Sequence, residues 1–364
     1  MDHAVIQPSS AARWVQCPGS LVMERIFPES DSEAAKEGQL AHSVAAAMFG
    51  HGTILPGTVT EEMQDGAELF YDDVMTVVKR LNSHVNPVIE QRINCFEIHP
   101  ECWGTPDVVL LDIALNELHI WDYKFGHRYV DVFENWQLLC YAIGKLANHG
   151  TATLETLKVH LHIVQPRSYH RDGPCRTWVV DALKVRDYAA QLQHAAALAM
   201  LQDPMTFTGP ECRDCKARHA CPTLQGLTYE AVQLSGQASP FELTPDAMGR
   251  ELATLLSAAD VLKARISGHE NELMALLKRG TPSKGWTLEQ GMGRKKWDRP
   301  VDEIVALGDM LGVNVSKPGV MTPPQAIKAG IPAAVVEGYT TVPHGEIKLV
   351  RDGTATTRSM FNVA

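Results

Sequence analysis

The chain has 364 residues, of which 45% are hydrophobic, so it can bury a sizeable core in two domains or in one large domain with additions. The formal net charge of −10 argues against a protein that coats nucleic acid by bulk attraction, although it leaves room for a local basic groove. No apolar run is long enough for a transmembrane helix, and the N-terminal stretch MDHAVIQPSS lacks the features of a secretory signal, so we expect a cytoplasmic protein.

The N-terminal part of the chain has helical patterning. A first segment over 11–24 follows two serines that can cap it and is interrupted by the letters CPGS, and a second helix is predicted over 33–49. A third amphipathic segment covers 61–81. We therefore expect residues 1–85 to form an N-terminal helical region.

The hydrophobic period then changes from helical to alternating. The stretches VIEQRINCFEI, WGTPDVVLLD and ELHIWDYKFG are short, rich in β-formers and separated by turn residues, which predicts an antiparallel meander. A helix, FENWQLLCYAIGKLANHG, a fourth strand, LKVHLHIVQP, and a fifth, RTWVVD, follow. This order predicts an α/β fold with a mixed central sheet flanked by helices. We assign 86–230 to this core and its cysteine cluster, and 231–364 to a long helix over 245–278 with a small appended domain.

Two aspartates and a lysine occupy the β-rich segments, where apolar side chains would pack better. Side chains alternate along a strand, so Asp122 and Lys124 share one face and Tyr123 lies on the other. If the preceding strand pairs with theirs, Asp107 approaches Asp122, and two buried carboxylates repel each other. A divalent cation resolves this conflict, and oxygen ligands suit Mg²⁺ or Mn²⁺. Lys124 would then act beside a metal-activated water.

The residues Pro106-Asp107 and Asp122-Tyr123-Lys124 resemble the signature of the PD-(D/E)XK nuclease superfamily. The resemblance implies a restriction-endonuclease-like core and a site for Mg²⁺ or Mn²⁺ held by the two aspartates. It answers why a core-forming hairpin carries charged side chains: the hairpin would hold a metal ion.

Further features resemble the RecB-like branch of that superfamily. His42, in EGQLAH on the second helix, matches a helical histidine that serves there as a metal ligand. Glu90, on the strand before the PD strand, matches a glutamate placed near the metal, with Glu97 as a competing choice. Gln137 and Tyr141, four apart on one helix face, resemble the Q-x-x-x-Y motif that lies near the active site and the DNA in RecB-like nucleases.

The run CRDCKARHAC places three cysteines in a C-x₂-C-x₅-C pattern beside three basic residues, and nearby cations favour thiolates. The pattern predicts a metal site with Cys212, Cys215 and Cys221 as ligands. The fourth ligand is either Cys17 or His219. Zinc accepts either set, whereas a [4Fe–4S] cluster prefers four cysteines.

Nucleases of the AddB type and CRISPR-associated adaptation nucleases resemble this layout, with one cysteine before the nuclease core and three after it. The resemblance implies a [4Fe–4S] cluster that joins the N-terminal helices to the segment after the core, with structural Zn²⁺ as the alternative. The remaining cysteines lack such spacing and are predicted to be ordinary thiols: Cys95, Cys102, Cys140 and Cys175.

The C-terminal third offers a second set of candidate DNA contacts. The stretch GWTLEQGMGRKKWDRP predicts a hairpin ending in Arg294, Lys295, Lys296 and Trp297, where basic side chains can contact phosphates and the indole can stack on a base. The amphipathic helix over 245–278 predicts core packing or self-association into a homo-oligomer.

Together these motifs resemble a phage and prophage family within the RecB-like nucleases, over residues 8–300. The resemblance implies an Mg²⁺- or Mn²⁺-dependent DNA exonuclease that resects linear duplex ends in the bacterial cytoplasm, where a phage single-strand annealing protein would use the product. Three alternatives remain: a structure-specific or CRISPR-adaptation-like endonuclease, a non-catalytic DNA-binding scaffold on the same fold, and a zinc-stapled interaction module.

Overall fold

A five-stranded mixed sheet forms the centre of the computed structural model, which describes residues 4–27, 33–81, 85–168, 170–235, 244–292, 295–316, 321–341 and 344–351. The strands are β1 (Val88–Ile89), β2 (Ile93–Asn94), β3 (Trp103–Gly104), β4 (Val108–Asp112), β5 (Glu117–Tyr123), β6 (Lys158–Val164), β7 (Cys175–Asp181), β8 (Trp286–Met292), β9 (Lys296–Trp297), β10 (Thr340–Thr341) and β11 (His344–Arg351).

Twelve α-helices and two short 3₁₀ helices are assigned within the described residues. The α-helices are α1 (Ala11–Gln16), α2 (Ser20–Arg25), α3 (Glu33–Met48), α4 (Glu61–Leu81), α5 (Trp136–Leu146), α6 (Thr151–Thr156), α7 (Ala182–Ala199), α8 (Pro222–Ser235), α9 (Pro245–Lys278), α10 (Val301–Met310), α11 (Pro323–Lys328) and α12 (Ala333–Glu337). The 3₁₀ helices are Pro8–Ser10 and Pro210–Asp214. None of the described helices is both long and apolar enough to cross a membrane.

The central sheet has the strand order β1-β4-β5-β6-β7. β1, β4 and β5 pair antiparallel, in the order that the predicted meander requires. The first predicted strand is nevertheless split into β1 and β2, and β2 pairs with β3 in a separate two-stranded sheet. β5 and β6 pair parallel, with α5 and α6 in the crossover between them, and β6 pairs antiparallel with β7. The sheet is therefore mixed and flanked by helices, which confirms the α/β fold class predicted from the sequence.

The alternating side chains of β5 enter two separate apolar layers. Leu118 and Ile120 pack in a core with α5 and α7, whereas Trp121 and Tyr123 pack in a core with α3 and α4. Residues of the two faces are fully buried because helices cover both sides of the sheet. Any polar side chain on β5 is consequently held between the sheet and a helix layer.

The chain divides into two compact units, 1–268 and 269–364. In the second unit β8 pairs with β11, and β9 pairs with β10, in both cases antiparallel. The hairpin predicted for GWTLEQGMGRKKWDRP is therefore wrong. β8 and β9 do not pair with each other, because each pairs with a strand much later in the chain. The small core of this unit contains Ile304, Val315, Ala326, Ile331 and Val336.

Candidate functional site

Three predicted site residues, Asp107, Asp122 and Lys124, meet at one end of the central sheet. Asp107 immediately precedes β4, and Asp122 lies near the end of β5. Because Val108 pairs with Trp121 in the antiparallel register, the start of β4 lies beside the end of β5. The sheet therefore brings together side chains that are widely separated in the sequence.

Asp122, Lys124 and Gln137 form a closed set of polar contacts. Lys124 Nζ lies 2.8 Å from Asp122 Oδ2 and donates to Gln137 Oε1 at 3.1 Å. Gln137 Nε2 donates to Asp122 Oδ1 at 2.8 Å. The Gln137 amide thus uses both its donor and its acceptor to fix the carboxylate and the ammonium relative to each other.

The position of Gln137 follows from the start of α5. Asn135 has extended backbone angles, and its side chain accepts hydrogen bonds from the backbone N–H groups of Gln137 and Leu138 at 3.1 and 3.2 Å. This N-cap fixes the first turn of the helix, so Gln137 points from that turn toward the ends of the strands. Tyr141, one turn later, is buried, and its hydroxyl lies 3.5 Å from the Thr105 carbonyl oxygen.

Asp107 is held at the sheet end by two groups, one at each carboxylate oxygen. His42 Nδ1, on α3, lies 2.9 Å from Asp107 Oδ1, and the Tyr123 backbone N–H donates to Asp107 Oδ2 at 2.7 Å. The His42 and Tyr123 rings meet edge to face with their centroids 5.4 Å apart. The structure therefore places the predicted helical histidine directly against the PD aspartate.

The two carboxylates experience different electrostatic environments. Burial raises the pKa of Asp122, and the neighbouring Lys124 charge opposes this effect without reversing it. Burial also disfavours ionisation of Asp107, but the His42 charge and hydrogen bond, with help from the Tyr123 N–H, lower the pKa of Asp107 below its usual value. Of the two aspartates, Asp122 is therefore the one whose ionised form is less favourable.

The two cationic side chains are both stabilised in their charged forms. Burial acts to lower the pKa of His42, but the Asp107 charge and hydrogen bond outweigh it, so the pKa is raised. Burial likewise acts against the Lys124 ammonium, and the Asp122 carboxylate outweighs it and raises the pKa of Lys124. Without a metal ion, the site therefore neutralises its acids with these two cations.

Glu90 lies at the rim of the same site, directly after β1. Its backbone N–H donates to the Asp107 carbonyl oxygen at 3.0 Å, and its φ of 47° places it in the left-handed region that non-glycine residues rarely occupy. Its partly exposed carboxylate lies 3.7 Å from His51 Nε2, and Glu90 lines a small pocket together with His42. The competing Glu97 forms an ion pair with Arg186 at 3.7 Å.

The four cysteines that the sequence singled out line one pocket. Cys17 follows α1, Cys212 lies in the 3₁₀ helix, Cys215 follows that helix, and Cys221 directly precedes α8. The backbone N–H groups of Phe207 and Gly209 donate to Cys17 and Cys212 Sγ, each at 3.3 Å. The N-terminal helices and the segment after the core are thereby joined at this pocket.

The alternative fourth ligand, His219, stacks edge to face on Phe27 with their centroids 4.4 Å apart and is not among the residues that line this pocket. Burial raises the pKa of the Cys17 and Cys212 thiols, and it raises the pKa of Cys215 to about 12. Backbone N–H groups oppose these shifts, as does Arg13 at Cys215, a cation that the sequence pattern did not suggest.

The structure describes only some of the residues in the C-terminal stretch that are predicted to contact DNA. Trp297 packs against the core of the second unit, and its indole N–H donates to the Met321 carbonyl oxygen at 2.6 Å. Lys295 Nζ lies 3.4 Å from Glu337 Oε1. Arg294 and the side chain of Lys296 lie outside the described part of the chain. Contact between these residues and DNA stays a prediction.

A further group, which sequence reasoning missed, lies on the α4 side of the sheet. Ligand atoms of Glu117, His119 and His160 lie within 4.8 Å of one another, and these three residues could hold a metal ion. The available signal was the alternation of histidines in ELHIW and KVHLHIV, which puts them on one face of each strand. This pattern does not show that the two strands are parallel neighbours.

Comparisons with known proteins give a family and distant likenesses among solved structures. The model of the family described as "Protein of unknown function (DUF2800)" matches residues 3–316 of the chain. A solved structure titled "Crystal structure of SSO0001" is 12% identical, and the alignment covers 61% of this chain and 88% of that chain. Its TM-score is 0.29, a likeness too weak to support an argument about fold or function.

Proposed function

The chain belongs to the DUF2800 family, and we propose that it is a metal-dependent deoxyribonuclease of the PD-(D/E)XK superfamily. The observation that carries the proposal is the convergence of the predicted signature residues at the paired ends of β4 and β5. Asp122 contacts Lys124 and Gln137, and Asp107 contacts His42, all within 3.1 Å. The helices α3 and α5 and the paired ends of β4 and β5 position these five side chains, which suits a preorganised site.

The residues fit a divalent metal ion. Asp122 Oδ2 is buried and lies 2.8 Å from Lys124 Nζ, yet burial and the nearby Asp107 charge still raise the pKa of Asp122. A buried carboxylate oxygen of this kind is costly unless a cation completes its surroundings. Asp107 and Asp122, with His42 beside them, would hold Mg²⁺ or Mn²⁺. When bound, the ion would supply a water of lowered pKa and offset charge that develops on the scissile phosphate.

The protein side chains have separate roles in this proposal. The Lys124 ammonium orients the attacking water and stabilises negative charge at the phosphate, since Asp122 keeps Lys124 charged. Gln137 positions Lys124 by accepting its hydrogen bond. His42 orients Asp107 and is available as a further ligand, and Glu90 stands at the rim, within reach of a solvated ion.

We assign the activity to the ends of linear duplex DNA because the motifs resemble exonucleases of phage recombination. Binding at an end requires a local channel beside the site, which is compatible with a chain of net charge −10. In this proposal the product is a resected end with a single-stranded tail. A phage single-strand annealing protein is the partner that such a product would serve.

The cysteine pocket supports an iron–sulfur cluster better than a single zinc ion. All four thiols line this pocket, and four cysteines are the ligand set that a [4Fe–4S] cluster prefers. His219, the alternative fourth ligand of a zinc site, instead stacks on Phe27. We propose that Cys17, Cys212, Cys215 and Cys221 hold a [4Fe–4S] cluster with a structural role.

The test is digestion of linear duplex labelled at either end, with closed circular DNA alongside, by protein purified without oxygen. Mg²⁺, Mn²⁺ and EDTA are compared for the wild type, Asp122→Asn and Lys124→Gln. Asp181→Asn and Lys158→Gln are matched controls, since this ion pair lies at the far end of the sheet and is exposed. Thermal unfolding of each variant shows whether it is folded.

We expect metal-dependent loss of linear DNA that both site substitutions abolish and both control substitutions leave intact. Cutting of the circle would replace the exonuclease assignment with an endonuclease of the same mechanism. No cleavage by folded wild-type protein that carries its cluster, with either metal, would refute the nuclease proposal and favour a DNA-binding scaffold.

A further inference from the structure

A second group of metal-ligating side chains lies on the sheet face opposite Asp122. His119 on β5 and His160 on β6 are direct partners in the parallel register, and Glu117 lies two residues before His119 on the same face. Glu117 Oε2 is 2.8 Å from His119 Nε2 and 3.7 Å from His160 Nε2. Three ligand atoms from two neighbouring strands therefore converge on one point.

We propose that Glu117, His119 and His160 form a binding site for a transition-metal dication of the zinc type. Two imidazoles and one carboxylate are a ligand set that zinc accepts in proteins, and three protein ligands leave a fourth position for water. This site is separate from the Asp107 and Asp122 site. Glu117 and Asp122 are five residues apart on β5, roughly 17 Å along the strand, and lie on opposite faces.

A chain of hydrogen bonds behind His119 supports its role as a ligand. His119 Nδ1 lies 3.0 Å from His162 Nε2, and His162 Nδ1 lies 2.9 Å from Thr177 Oγ1. When His119 donates its Nδ1–H to His162, its Nε2 lone pair is directed at the point of convergence. Metal-binding histidines commonly donate their second N–H in this way. Trp121 stacks on His162 with 4.4 Å between centroids and fixes that ring.

Two local rearrangements would accompany metal binding. Arg80 donates to Glu117 Oε2 at 2.9 Å, but the Arg80 side chain is half exposed and can move into solvent. The His160 ring is stacked on His119 with an interplanar angle of 19°, so His160 must turn to direct its lone pair at the ion. His160 lies at the partly exposed edge of the group, where such a turn has room.

The competing explanation is a hydrogen-bonded chain without a metal. In that arrangement His119 Nε2–H donates to Glu117, His119 Nδ1 accepts from His162, and His162 accepts from Thr177. Every contact is then satisfied, and Arg80 neutralises the carboxylate. The two explanations differ in whether a dication binds here and whether removal of Arg80 strengthens that binding.

The test is equilibrium dialysis of the full-length protein against Zn²⁺, with Co²⁺ absorption spectra as a second readout of nitrogen and oxygen ligation. Subtracting variant from wild type cancels ions bound at the cysteines and at the Asp107 site. The variants are His160→Gln and Glu117→Gln, which change half-buried side chains rather than fully buried ones. His194→Gln, an exposed histidine on α7, is the matched control.

We expect His160→Gln and Glu117→Gln each to bind one Zn²⁺ fewer per chain at concentrations that saturate the wild type, with affinity at this site lowered about 100-fold. His194→Gln should match the wild type. Arg80→Ala should bind Zn²⁺ at this site about five- to tenfold more tightly, since a competing cation is gone. Equal stoichiometry in wild type, His160→Gln and Glu117→Gln would overturn the proposal, as would unchanged or weaker binding by Arg80→Ala.

Discussion

His42 and Asp107 are 65 residues apart in the sequence, and His42 Nδ1 lies 2.9 Å from Asp107 Oδ1. The contact joins α3 to the start of β4, so it closes the N-terminal helices over the end of the sheet. It also neutralises a carboxylate that burial alone would disfavour. The pair therefore links the stability of the metal-free protein to the geometry of the candidate active site.

The first prediction concerns the pH dependence of stability in EDTA. The pKa of His42 is raised above 6.5 in the folded state, so its contribution is complete below pH 6.5 and is lost as pH rises through the folded pKa. The pKa of Asp107 is lowered below 3.8, so its contribution is complete above pH 3.8 and is lost as pH falls through the folded pKa. The window of full stabilisation is pH 3.8 to 6.5.

His42→Gln should lower the free energy of unfolding by about 1 kcal/mol within this window, a modest loss because water screens a partly exposed pair. The loss should shrink as pH rises above 6.5. Urea unfolding of the wild type and variant at several pH values measures it, with His194→Gln as the control. A difference that stays constant up to pH 9 would contradict the assigned ion pair.

The second prediction concerns Gln137, which contacts both Asp122 and Lys124. Gln137→Ala removes two hydrogen bonds while leaving both charged groups, so we expect the cleavage rate to fall about 10- to 100-fold with little change in KM. Gln137→Glu should be worse, because a second carboxylate would face Asp122 and compete for Lys124.

Single-turnover digestion of linear duplex measures this effect. The matched control is Gln193→Ala on α7, which removes an amide that donates to the Glu97 carbonyl oxygen, away from the site. If Gln137→Ala kept the wild-type rate, Gln137 would be a structural residue of α5 and would not position Lys124.

The sequence predicted local structure well where a single hydrophobic periodicity was enough to distinguish a helix from a strand. The helices over 61–81 and 245–278 have the predicted bounds, since their apolar residues repeat at helical spacing over many turns. The alternation of strand side chains likewise put Asp122 and Lys124 on one face, and their contact follows from it. The position of His42 against Asp107 could not be derived from spacing, and only the family resemblance suggested it.

Strand pairing marks the limit of such prediction. The sequence predicts that β8 pairs with its nearest neighbour, yet β8 pairs with β11, because the pattern of one strand does not specify its partner. For the same reason, the sequence pattern did not reveal the group formed by Glu117, His119 and His160. Its two histidines meet only because β5 and β6 are parallel neighbours in a register that places His119 beside His160.

The third prediction concerns the cysteine pocket. Cys17→Ser should remove most of the iron and acid-labile sulfide from protein purified without oxygen, since a [4Fe–4S] cluster needs its four thiolates. It should also lower stability, because the ligand joins the N-terminal helices to a segment almost two hundred residues later. Iron, sulfide and zinc analyses measure the outcome, and Cys175→Ser, a thiol on β7 outside the pocket, is the control. Stoichiometric zinc without iron would show that the site is a zinc site.

The last prediction tests how closely the N-terminal helices approach that segment. Gly19 N–H donates to the Met205 carbonyl oxygen at 2.8 Å, and a Cβ on Gly19 would lie 2.8 Å from the Pro204 carbonyl oxygen. Gly19→Ala should therefore lower the free energy of unfolding by about 1–3 kcal/mol and reduce cluster content. Gly38→Ala on α3 meets no atom within 4 Å and should raise stability by up to about 1 kcal/mol. If both substitutions stabilised the protein equally, the two segments would not be in the contact described.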